Sequence, residues 1–422
     1  MAWRHAPGRS RAGLAAALLV GLALGGAAGS LATWVWLRPP APLAAETLTL
    51  SPASFASLPG WADDDLAAAL PAFLTSCARL KAARPELSLA PAGTAADWQG
   101  ICADAASLAP EAAAVRPFLE DRLSPLLVGT TGEGAGLFTG YYEPSLAGSR
   151  TADAAHRVPL LARPDDLVMV DLGRFRDSLK GERIAGRVAE GALEPYPDRA
   201  AIETGALGPR ARPLAFVADP VEAFFLHIQG SGLVTLSDGG ALRVGYAAQN
   251  GQPYVAIGRE LIRRGALTRE SVSMASIKAW LAAHPEEAGA LMNSNPSYVF
   301  FRDLGSPPAD PNGPLGGPPG AQNVPLTPGR SLAVDRKFLA LGLPLWLDST
   351  VPLADGGTLP LRRLMVTQDT GGAIRGPVRG DVFWGHGAEA ERRAGAMKQP
   401  GRYWILVPKA VAARLAKGEA GS

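Results

Sequence analysis

Asp369 and Asp381 close the two ends of "DTGGAIRGPVRGD", twelve residues apart with four glycines between them. Glycine lets a backbone bend where other residues cannot, so such a stretch can bring two sequence-distant carboxylates into one small space. Two carboxyl groups in one site can do proton chemistry. The plain alternative is that each accepts backbone N–H bonds and stabilises a turn, as Asp commonly does. Spacing alone leaves both open. The glycines do not form a phosphate loop, because no Lys-Ser/Thr follows them. His227 and His386 are isolated and lack metal-ligand spacing, so they read as structural histidines, and neither metal nor cofactor is expected.

The elements that must hold these carboxylates are short strands. The tail carries strand signals in "SLAVDRKFL", "LPLWLD", "RRLMVTQD", "GDVFWG" and "RYWILVP", and Asp335, Asp369 and Asp381 fall at the ends of such runs. Upstream, helical patterns run from the linker to about Leu127. Then "GLFTGYYEPSL", "LAFVADP", "AFFLHIQGSGLVTL" and "ALRVGYAAQNGQPYVAIG" read as β-like runs between turns. One helical interval, Glu260 to Leu291, interrupts them, with Ser273 as a cap. "GSPPADPNGPLGGPPGAQNVPLTPG" is too rich in Gly and Pro for regular structure and reads as a long loop. With 49 glycines and 37 prolines in 422 residues, the chain is loop-rich and more β than helical. Its 41 basic and 39 acidic residues are mixed along the chain, with no basic run beyond pairs such as Arg263-Arg264, which argues against a nucleic-acid partner.

Arg4, Arg9 and Arg11 precede 26 uncharged residues, Ala12 to Leu37, long enough to cross a bilayer as a helix. Two readings stand: a retained anchor, with Trp34 and Trp36 at the far interface, or a cleaved signal peptide. Either predicts an exported, periplasmic body. No Cys follows the span, so the chain does not read as a lipoprotein. Residues 38–60 read as a Pro/Ala/Ser linker. Cys77 and Cys102, the only cysteines, fall on the apolar faces of two helical patterns. An oxidising compartment suggests a disulfide between them; a pair of buried free thiols is the alternative.

"AVDRKFLALGLPLWL", "QDTGGAIRGPVRGDVFWG" and "GRYWILVP" resemble the three-aspartate (3D) domain of the membrane-bound lytic transglycosylase A (MltA) family. "FTGYYEP", "FFLHIQGSG" and "NPSYVFF" are similar to that family's upstream motifs, in the same order, so the likeness runs from about Gly136 to Pro408. The resemblance implies a mainly β fold with N-terminal helices: a double-psi β-barrel domain, residues 61–145 and 293–411, carrying an inserted, mostly β domain, residues 146–292. It implies an enzyme that acts on peptidoglycan glycan strands and cuts the β-1,4 bond between N-acetylmuramic acid and N-acetylglucosamine without water. The muramic C6 hydroxyl attacks its own anomeric carbon and leaves a 1,6-anhydro end. The family's catalytic acid/base maps onto Asp381 and its companion onto Asp369, whose charge would keep Asp381 protonated.

Other positions matching the motifs take weaker assignments. Thr139, Tyr141 and Tyr142 offer hydroxyls and rings to sugars, or core packing. Gln229 and Ser231 flank a glycine bend and could bind N-acetyl groups or simply make the turn. Trp384 either lines the groove or walls off the core. Two competing functions remain: a hydrolase using Asp381 with Glu143 or Asp369 as a second carboxylate, and a non-catalytic cell-wall binding protein or scaffold.

Overall fold

A computed structural model describes residues 47–130, 136–179, 181–313, 316–353 and 356–418. The expected membrane segment, residues 1–37, lies outside them; among the described residues no helix is long and apolar enough to cross a membrane. The linker expectation also needs correcting. Leu48–Pro52 is a strand, β1, because Leu48 and Leu50 turn to the main core while the chain pairs antiparallel with β2, Leu123–Thr130. The helical region likewise ends at Arg122, not near Leu127.

The main sheet runs β1-β2-β17-β14-β15-β13-β16-β3, and β3 also pairs with β17. Its remaining strands are β3 (Gly136–Glu143), β13 (Ser331–Val334), β14 (Pro344–Pro352), β15 (Thr358–Asp369), β16 (Arg379–His386) and β17 (Lys398–Pro408). A layer of N-terminal helices covers it. The helix Ala95–Ala105 starts at a capping box, Thr94 with Asp97, and buries Trp98, Ile101 and Cys102. The helix Leu70–Lys81 has Pro71 in its first turn, where no intrahelical N–H is lost, and buries Phe73 and Cys77. The two are joined by a Cys77–Cys102 disulfide. Helices and strands share one core, with Trp98, Leu345, Trp346, Tyr403 and Ile405 fully buried in it.

From β3 the chain passes directly into a second, six-stranded sheet of order β12-β11-β10-β4-β9-β5. Its strands are β4 (Ser145–Ser149), β5 (Val158–Leu161), β9 (Pro213–Val217), β10 (Ser231–Leu236), β11 (Ala241–Gln249) and β12 (Val299–Asp303). A small third sheet, β6 (Val168–Asp171), β7 (Arg183–Ala189) and β8 (Ala192–Pro195), extends from it in sequence between β5 and β9.

"AFFLHIQ", expected as a strand, is instead most of the helix Pro220–Gln229. Its ends explain why. Asp219 accepts from the N–H groups of Val221 and Glu222, Pro220 opens the first turn, and Gly230 takes the left-handed conformation, φ 83°, that stops a helix. These end signals override the strand preference of the Phe and Ile between them. The helical interval expected from Glu260 to Leu291 is three helices, Ile257–Arg263, Met274–Ala283 and Pro285–Asn293, the second capped by Ser273.

Candidate active site

Register places the two aspartates. Ala333 on β13 is opposite Asp381 on β16 and also opposite Asp369 at the end of β15. Asp381 in turn lies opposite Thr139 on β3, and Thr139 opposite Lys398 on β17. One row across five strands therefore carries both carboxylates, with the smallest chiral side chain between them. Two strand spacings put their Cα atoms roughly 10 Å apart, within reach of groups that bridge the row.

Two hydroxyls on one face of β3 hold the pair. Thr139 Oγ1 donates to Asp381 Oδ1 at 2.7 Å, and Tyr141 OH donates to Asp369 Oδ2 at 2.8 Å. Asp369 Oδ1 also accepts from the N–H groups of Ala321, at 2.8 Å, and Thr370, at 2.9 Å. The Ala321 donor comes from the long Gly/Pro loop. Gly320 permits that approach, since a Cβ there would stand 2.6 Å from Gln368 O and 3.3 Å from the Asp369 Cβ. Asp369 is thus saturated with donors, whereas Asp381 Oδ2 receives none from the described residues. Beneath the row, Tyr141, Leu326, Ala333, Ile374 and Phe383 form a small apolar cluster.

This dry floor sets the electrostatics. Burial lifts the Asp381 carboxyl from its ordinary value to about 6, against the opposing pull of the Arg379 charge and the Thr139 hydrogen bond. Asp369 adds only the smallest upward push. The expectation that the neighbouring carboxylate keeps Asp381 protonated therefore yields to desolvation as the main cause. Asp369 is itself raised by burial, with its three donors pulling the other way. Tyr141 is held well up by burial and by Asp369, so it stays a neutral donor.

The other expected residues divide by strand face. Tyr142 and Trp384 alternate away from Tyr141 and Asp381 and lie in the main core. The Trp384 ring is covered by the Arg393 guanidinium at 5.5 Å, and Gly140 lies against its Nε1. Gln229 spends its carbonyl on the backbone N–H of Tyr142 at 3.1 Å, bracing the β3 exit, while Ser231 starts β10 partly exposed. Burial, aided by the Arg199 charge beside it, keeps His227 well below its ordinary value, and His386 contacts the Glu143 carbonyl. Glu143 is fully buried in an ion pair with Arg243 at 2.8 Å, and burial lifts its carboxyl to about 7. Sequence reasoning missed Arg379. Its Nη2 donates to Thr139 Oγ1 at 2.8 Å, and Nη1 is held by the carbonyls of Leu137, at 3.3 Å, and Gly380. The signal was present: Arg379 precedes Asp381 by two residues, which on a strand puts both on one face.

Comparison with known families gives two matches in chain order, the MltA specific insert domain over residues 137–302 and the 3D domain over residues 330–407. A crystal structure of membrane-bound lytic murein transglycosylase from Agrobacterium tumefaciens is 36% identical with a TM-score of 0.74, covering 87% of this chain and 99% of that one. The chain belongs to the MltA family. Among named MltA relatives, membrane-bound lytic murein transglycosylase A of Vibrio cholerae is 31% identical over 279 residues, 65% of this chain. That match spans 66% of the Vibrio protein, so the chain covers just under two thirds of its length. Escherichia coli MltA, solved with bound chitohexaose, is 26% identical with a TM-score of 0.59, covering 85% of this chain and 91% of that one.

Proposed function

We propose that this chain is a lytic transglycosylase that cuts the β-1,4 bond between N-acetylmuramic acid and N-acetylglucosamine in peptidoglycan and leaves a 1,6-anhydro end, with Asp381 as the single acid/base. The observation that carries this reading is the contrast between the two aspartates. Asp381 has a raised carboxyl and an oxygen that no donor among the described residues occupies, while Asp369 has donors on both oxygens. Protonated Asp381 donates from Oδ2 to the glycosidic oxygen as the bond from that oxygen to the anomeric carbon breaks. The carboxylate then takes the proton of the C6 hydroxyl as its oxygen bonds to the same carbon. The nucleophile belongs to the substrate, so its attack is intramolecular and no second carboxylate is needed to activate water. Asp369 orients Tyr141 and the loop at Ala321 rather than moving protons. Against a two-carboxylate hydrolase, Glu143 is paired with Arg243 and Asp369 is engaged by three donors.

The same reading extends to fold and location. The pairings β17-β14-β15-β13-β16-β3 return to β17, which supports a six-stranded double-psi barrel. The uncharged N-terminal span, and relatives named as membrane-bound, support an exported enzyme at the inner membrane. Chitohexaose in an MltA relative supports a glycan as the ligand, and we assign Thr139 and Ser231 to the groove that would hold it. Mass spectrometry of sacculus digests tests the activity: the new muramic ends are expected to be one water lighter than reducing ends. A digest dominated by reducing muramic ends would overturn the proposal.

A further inference from the structure

We propose that Arg379 locks the direction of the Thr139 hydroxyl and thereby confines the acidic proton of Asp381 to Oδ2. This rests on the acid/base assignment of Asp381 made above, but the geometry behind it stands apart from the reaction. A guanidinium only donates, so in the 2.8 Å contact between Arg379 Nη2 and Thr139 Oγ1 the hydroxyl oxygen must be the acceptor. A threonine hydroxyl has one proton. Arg379 takes one of the oxygen's two lone pairs, and Asp381 Oδ1, at 2.7 Å, is the acceptor in reach of that proton among the described residues. An oxygen that is accepting there cannot also carry the acid proton along the same line. In this arrangement the proton of neutral Asp381 sits on Oδ2, the oxygen without a donor among the described residues. The guanidinium is itself fixed by the Leu137 and Gly380 carbonyls on the two paired strands, so the lock is anchored on both sides of the β3–β16 pair.

The consequence is that the two carboxyl oxygens are not interchangeable. Oδ1 is a permanent acceptor, and donation to the leaving oxygen and uptake from the C6 hydroxyl both pass through Oδ2. Arg379 acts through Thr139 and is a positioning residue. It also acts by charge, which pulls the Asp381 carboxyl down from its neighbouring position on β16; the other groups facing Asp381 are Asp369 from β15, Tyr141 from β3 and, beyond Thr139, Lys398 from β17. A test must therefore separate the lock from the charge.

A double-mutant cycle does so. The titration of Asp381 is followed without substrate by carboxyl-detected NMR with labelled aspartate, its signal being the one lost in Asp381→Asn. Thr139→Val removes a hydrogen bond to the charged form, so the midpoint is expected to rise by about one pH unit. Thr139→Ser keeps the hydroxyl and is expected to keep the midpoint. Arg379→Gln raises the midpoint in both backgrounds by loss of charge, but less in the Thr139→Val background, where no hydroxyl remains to be released. In turnover, Arg379→Gln is expected to lower kcat about tenfold with KM little changed, since it loosens the acid and not the glycan contacts. Equal midpoint shifts from Arg379→Gln in the two backgrounds would mean that Arg379 acts by charge alone and would overturn the lock, as would a Thr139→Val midpoint that does not move. Because the titration needs no substrate, either result is reached even if the product analysis shows a hydrolase, and the two failures are told apart.

Discussion

An Asp381→Asn protein is expected to fold and bind glycan yet turn over roughly 10²–10⁴-fold more slowly than the parent chain, or slower still, because one group serves as acid and then as base. Asn matches the size of Asp and can still accept the Thr139 hydroxyl, but it has no proton to give. Steady-state kinetics on sacculi, with binding followed separately, check this; near-parental turnover would mean that the proton comes from elsewhere. The pH profile carries the same assignment. Activity requires neutral Asp381 at the start, and its carboxyl is lifted to about 6. So kcat/KM is expected to fall as pH rises through about 6, the free-enzyme value that this parameter reports. Asp369→Asn should move that limb only slightly downward, since Asp369 contributes the least of the groups that shift Asp381.

The largest stability effect is expected at Asp64, far from the chemistry in sequence. Arg330 reaches Asp64 through two bonds, Nη1 to Oδ2 at 2.7 Å and Nη2 to Oδ1 at 2.9 Å, and also donates to the carbonyls of Leu364 and Asp65. Asp64 Oδ2 accepts the Leu364 N–H as well, so the buried pair ties the N-terminal layer to β15 beside the start of β13. Asp64→Ala leaves a guanidinium buried without its counter-charge and is expected to cost about 3–5 kcal/mol. Replacing both partners by apolar residues of similar volume should cost far less, because no orphaned charge remains. Denaturant unfolding midpoints of the two variants measure the difference, and a single Asp64→Ala variant as stable as the parent chain would contradict the role given to the pair.

Much of the site was legible because its residues alternate along strands. Asp369 ends β15 as expected, whereas Asp381 lies inside β16 with a paired strand on each side, and Thr139 and Tyr141 share the face of β3 that meets them. The same period of two puts Arg379 on the face of Asp381, but choosing between Tyr141 and Tyr142 on β3 needed the strand's inward face, and a lone strand does not declare its inner face. What set it was the pairing of β16 with β3 on one side and β13 on the other, long-range contacts that local sequence does not encode. Gln229 was placed at the correct bend, but the helix before it was read as a strand; Phe224, Phe225, Leu226 and Ile228 outweighed the end signals at Asp219 and Gly230. The helix layer and Cys77 beside Cys102 followed from the helical period, which puts both cysteines on apolar faces. By contrast β12 hydrogen-bonds to β11, so the edge of the inserted region proposed here lies after Asp303 rather than between residues 292 and 293. The dominance of burial over the Asp369 charge could not be foreseen, because Leu326 and Ile374 reach the cluster from two separate loops.

The central claim is that the substrate's own C6 hydroxyl, and not water, replaces the leaving sugar while Asp381 moves both protons. Digestion of sacculi in water enriched in heavy oxygen tests it most directly. The account predicts muramic ends in the anhydro form that carry no solvent oxygen; reducing muramic ends labelled with heavy oxygen as the main product would contradict it.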